Sequence, residues 1–136
     1  MKNYTLILFT ALFFISIATF AQSAALVTQM EEAHKECMRI KPDSNACSKL
    51  FLSQMDSMVT VVFIEVKAIT PAEKVSSLLQ EQMSWSKKKG EFFKIQDDTF
   101  KYNLQEGTWT KDMIRISYQQ KADFILKRIK VLLKRL

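Results

Sequence analysis

The chain carries one histidine, His34, and two cysteines, Cys37 and Cys47. These side chains offer three kinds of chemistry. His34 and Cys37 lie one helical turn apart, which suits a thiolate–imidazole nucleophile only if the thiol is free. A zinc site wants two close ligand pairs, and here there is no second pair. A redox dithiol wants two intervening residues, and the spacing here is far wider. A simple disulfide needs only an oxidising compartment, and two cysteines allow a single intramolecular pairing. The carboxylates Asp97 and Asp98 are adjacent, so on a helix they point about 100° apart, a poor geometry for joint acid–base work. No glycine-rich phosphate loop is present. The chain therefore reads as non-enzymatic, with no cofactor and no metal, and His34 as a partly exposed helix residue.

The compartment is read from the amino terminus. Lys2 opens a short basic region, "LILFTALFFISIATFA" follows without a charge, and Thr19 and Ala21 put small residues at the −3 and −1 positions of a cleavage site. This is the pattern of a secretory signal peptide over residues 1–21. The apolar run is slightly short for a membrane span. Cleavage leaves residues 22–136, one small domain, which loses only Lys2 and so drops from +6 to +5. Export to the periplasm or the extracellular space makes a Cys37–Cys47 bridge the expected state of both thiols. It also removes the nucleophile and leaves no nucleic acid within reach. The modest positive charge suits contact with an acidic surface without requiring it.

The elements that position these residues are helical. Two glycines and two prolines in 136 residues leave few tight turns. A first helix is expected from about Ala25 to Arg39, with Leu26, Met30, Ala33 and Cys37 on one face. "KPDSNA" breaks it, and Asp43 or Ser44 caps a second helix. There Cys47, Phe51, Met55, Met58, Val62, Val66 and Ile69 form an unbroken stripe. That stripe outweighs the β-branched "VTVVFIEV" as a strand signal. "ITPAE" predicts a capping box, with Thr70 as N-cap, Pro71 in the first turn and Glu73 reaching back. The third helix runs to about Tyr102, and Gly107 in "QEGT" takes positive φ beyond it. A fourth helix starts near Asp112, with a seam of Ile114, Tyr118, Ala122, Ile125, Ile129, Leu132 and Leu136. Lys127, Arg128, Lys130, Lys134 and Arg135 crowd its last turns. The expected fold is all-α, a bundle of about four helices stapled by one disulfide.

Within the third helix Leu78, Gln82, Trp85, Lys89 and Phe92 share a face, which predicts that Trp85 is buried against other helices. Gln82, one turn earlier, is placed to support that wall or bond a neighbouring backbone. Lys89 lies at its rim with its stem along the ring. Gly90 costs helix stability and marks either a kink or a close helix approach.

"LLQEQMSW" followed by Lys89 resembles the Leu-x-x-x-Gln-x-x-Trp-x-x-x-Arg signature of the lysozyme inhibitor LprI-like domain, with lysine in place of arginine. The family's early cysteine pair is matched by Cys37 and Cys47. Its Asp-x-x-Leu-Asn-x-x-Tyr element is matched in spacing by "DSMVTVVF": Asp56 is kept, while Val59, Thr60 and Phe63 stand for the other three. A second cysteine pair common in the family is replaced here by Phe93 and Ile114. The resemblance implies an exported, helical, disulfide-bearing domain and a divergent member of that family.

Function follows from the resemblance as an expectation. The module binds another protein, with a lysozyme-type muramidase the implied target. Its contact patch is expected at the end of the third helix and the following connection, from Asp97, Asp98, Glu106 and Trp109, because a loop tryptophan is a common binding hot spot. The competing role for Trp109 is to cover the bundle end. The alternative to protein binding is docking of the basic fourth helix on anionic lipid or envelope polymer, through its leucine-rich seam.

Overall fold

The second helix organises the molecule, because its stripe is contacted from two sides. In the computed structural model, residues 3–136 are described, with side chains described from Gln22 onward. The signal-peptide reading of residues 1–21 lies outside the described side chains. Four helices follow in order: α1 (Asn3–Ile40), α2 (Asn45–Ile69), α3 (Ala72–Gln105) and α4 (Lys111–Leu133). No strand occurs among the described residues.

The α1 helix extends well before Ala25, since neither glycine nor proline occurs ahead of Pro42. Ser44 caps α2, its hydroxyl accepting from the Cys47 N–H at 3.3 Å. The β-branched stretch is helical throughout, and Cys47, Phe51, Met55, Met58, Val62 and Val66 are buried. Only Ile69, at the helix end, is exposed. By length and composition α2 would suit a membrane span, but its apolar stripe is the wall on which α1 and α4 pack.

The expected capping box does not form. Thr70 Oγ1 instead donates to Val66 O at 2.6 Å and finishes α2. Pro71 takes the N-cap position of α3, with no side-chain cap. The α3 start is thus displaced by one residue, which moves the threonine hydroxyl out of reach of the new helix's free N–H groups. Gly107 has φ +69° and ends the α3 corner as expected. Gly90 marks no close approach of another helix: α3 continues through it, and a Cβ placed there would meet no neighbouring heavy atom within 4 Å.

Successive helices run antiparallel. Ser23 hydrogen bonds Glu65 at 2.7 Å while Cys37 bonds Cys47, which sets α1 against α2. Asp97 pairs Lys121 while Glu81 meets Arg135, which sets α3 against α4. The core joins Val27 of α1, Phe51 to Val66 of α2, Leu78 of α3, and Ala122, Ile125, Leu126, Ile129 and Leu132 of α4. The buried face of α1 is rotated from the expected one: Val27 and His34 point inward, while Leu26 and Ala33 are exposed.

Candidate functional site

The motif residues converge on the inner face of α3. Lys89 Nζ lies 2.7 Å from Asp56 Oδ1 on α2, so the two charged positions of the resemblance form one ion pair. The same ammonium sits 5.7 Å from the ring centres of both Trp85 and Phe93. Trp85 is half-buried rather than buried: it stacks against Phe124 of α4 at 6.2 Å and packs on the core edge. Its position on the expected face is right. Its depth is less than expected, because α3 faces α4 across charged and aromatic side chains instead of aliphatic ones. Leu78 is the one buried residue of α3.

Gln82 has a partner that its sequence position does not suggest. Its Oε1 accepts from Arg128 Nε at 3.0 Å and from Nη2 at 2.8 Å. The remaining Nη1 of Arg128 donates to Glu81, which also accepts from Arg135 at 2.9 Å. The Arg128 guanidinium, helped by Arg135, holds the Glu81 carboxyl below its ordinary value against the opposing effect of burial. Arg128 and Lys121 are buried cations on α4, and Lys121 Nζ reaches Asp97 at 2.6 Å. The available signal was periodic: Lys121, Phe124 and Arg128 repeat at 3 and 4 along α4, a second stripe beside the aliphatic seam.

Cys37 and Cys47 form a disulfide with Cα atoms 5.9 Å apart, so neither thiol is free. His34 is half-buried in a packing role, stacked on Phe51 at 4.3 Å with Nε2 2.6 Å from Gln119 Oε1. Gln119 in turn donates to Asp123 at 2.9 Å. Among the described residues no three potential metal ligands come together.

The expected binding patch is dispersed. Asp97 is engaged with Lys121. Asp98 pairs with Lys94, whose ammonium holds the carboxyl below its ordinary value. Glu106 is exposed at the α3 C-cap. Trp109 folds back edge-on to Phe100 at 6.5 Å, with its indole N–H buried. Of the expected second-bridge replacements, Phe93 lies under Lys121 at 5.2 Å, while Ile114 lines a cleft of about 210 Å³ with Phe100 and Tyr118. On α4 the seam residues Ile125, Ile129 and Leu132 are fully buried. The seam is therefore closed to an envelope surface. Of the large apolar side chains of α4, Ile116 and Val131 stay exposed, and of its C-terminal cations Arg128 and Arg135 are already paired with Glu81 and Lys130 with Glu31.

A larger cleft, about 420 Å³, opens where α2 and α4 end and α3 begins, lined by Thr70, Pro71, Lys74, Leu78, Glu81 and Arg135. No family model, no curated protein and no solved structure matches this chain.

Proposed function

We propose that the chain is exported and that residues 22–136 act as a non-catalytic module that binds another protein. The observation that carries this reading is the junction of α3 with α2 through Lys89 and Asp56 and with α4 through Gln82 and Trp85. Each of these motif side chains is spent on holding helices together. Motif residues used in this way describe a scaffold, and a scaffold stapled by a disulfide suits an oxidising compartment. The lysozyme inhibitor LprI-like resemblance adds the target class, a lysozyme-type muramidase.

The net charge of the mature chain sets a condition on that target. A basic module is repelled at long range by a basic enzyme, so contact with one requires a local acidic surface. Glu106 lies exposed near one end of α3 and can contribute to such a surface, whereas the nearby Asp98 is neutralised by Lys94.

The test uses the purified, oxidised mature chain, immobilised and exposed to envelope extract, together with an assay of cell-wall lysis by purified muramidases. Retention of a muramidase and slowed lysis support the reading. Undiminished lysis at saturating module, with no muramidase retained, rejects the target class. Capture of a different protein keeps the binding role and replaces the target.

A further inference from the structure

We infer that α3 is a strap, held to the α1–α2–α4 body by cations and aromatic faces rather than by an apolar core, and that it opens as a unit. The distribution of burial motivates this. The α2 helix buries eight of its 25 residues and α4 seven of 23, whereas α3 buries one of 34. A helix is ordinarily kept in place by its apolar face. Here that face is a ladder of alternating charge and ring. Arg128 lies 6.0 Å from Trp85, Lys89 lies 5.7 Å from Trp85 and from Phe93, and Lys121 lies 5.2 Å from Phe93.

Each cation of the ladder is paired with a carboxylate that is substantially open to water. Side-chain exposure is 54% for Asp56, 58% for Asp97 and 41% for Glu81. The Lys89–Asp56 pair, the most open of the three, is weak and screened by dissolved salt, whereas in the Lys121–Asp97 and Arg128–Glu81 pairs the cation is buried and salt acts only from the open carboxylate side. Burial of the α2–α4 seam has no such sensitivity, since it is apolar. Gly90 lowers the strap's own helical stability and gains no packing contact in exchange. Both ends are suited to movement. Gly107 already sits at positive φ, and the Thr70 hydroxyl closes α2 without reference to α3. The parts of a protein that open locally are those with few buried apolar contacts, and α3 meets that description alone among the three fully described helices α2, α3 and α4.

Amide hydrogen exchange on the oxidised mature chain, read by mass spectrometry at low and high sodium chloride, tests this directly. The expected result is that amides of Ala72–Gln105 exchange about tenfold or more faster than those of the α2 and α4 centres, with the gap widening in high salt. A Gly90→Ala variant should slow exchange in α3 about fivefold and leave α2 unchanged, as the roughly 1 kcal/mol propensity difference implies. Exchange of α3 at the α2 rate overturns the inference, and so does an α3 rate indifferent to salt. Equal slowing of α2 and α3 in Gly90→Ala also overturns it, since that would make α3 part of one cooperative unit.

Discussion

Lys89 of α3 and Asp56 of α2, 33 residues apart in the chain, meet at 2.7 Å, with the lysine ammonium 5.7 Å from the ring centres of both Trp85 and Phe93. The two ends of this contact differ: Lys89 is mostly covered, whereas Asp56 is half open to water. Removing the lysine therefore loses more than removing the acid. In a double-mutant cycle with Lys89→Ala and Asp56→Ala, the coupling should be about 0.5–1 kcal/mol. Lys89→Ala should cost more than Asp56→Ala, through lost contact with the two rings. Equal single costs in urea titration would show that the rings contribute nothing.

The disulfide joins the α1 end to the α2 start, closing a loop of sequence separation 10. Cys37→Ser/Cys47→Ser should cost about 2.5–3 kcal/mol by the chain-entropy model. Intact-mass measurement on exported protein, with and without reductant, should show the two-hydrogen difference of one bridge. Two alkylatable thiols in the native protein would contradict the pairing.

Trp85 is half-buried, which places its truncation below that of a core aromatic. Trp85→Ala should cost about 2–3 kcal/mol, under the usual range for core rings. Trp85→Phe should recover most of that by keeping the stack on Phe124. Thermal unfolding of both variants reads the difference, and an unchanged midpoint in Trp85→Ala would return the ring to a recognition role.

Trp109 covers the end of the α3–α4 corner against Phe100. Trp109→Ala should lower the melting midpoint by several degrees, the effect of about 1–2 kcal/mol in a domain of this size. Binding of any captured partner should then fall only as far as unfolding explains. An unchanged midpoint with weakened binding would instead make Trp109 a contact residue.

Glu81 titrates in a defined direction. Its folded pKa is depressed by Arg128 and Arg135, so its contribution is fully present above the ordinary carboxylate value of about 4.3 and is lost as pH falls through the lower folded value. Glu81→Gln should therefore lower the melting midpoint at neutral pH and lose that disadvantage below about pH 4. A constant difference between wild type and variant across this window would separate Glu81 from the Arg128 pair.

The helices themselves were legible because their signals are local. The 3–4 repeat from Cys47 to Val66, the scarcity of glycine and proline, the Ser44 cap and the positive φ of Gly107 each depend on residues within a few positions of one another. Two cysteines allow a single intramolecular pairing, so their partner choice was legible from their number.

What only the tertiary structure decided depends on partners far away in the chain. On α1 the stack on Phe51 and the bond to Gln119 turn His34 inward, and Val27 joins the core while Leu26 and Ala33 stay exposed. The Thr70 hydroxyl could accept from a free N–H of α3 or donate to a carbonyl of α2, and the one-residue displacement of α3 left it donating to Val66. Gln82 found Arg128, 46 residues on, because α3 and α4 cross at that height. A repeat in sequence fixes which residues share a helix face. Which face is covered, and by what, is settled by the free energy of docking whole helices together, and that sum runs over contacts no short window of sequence contains.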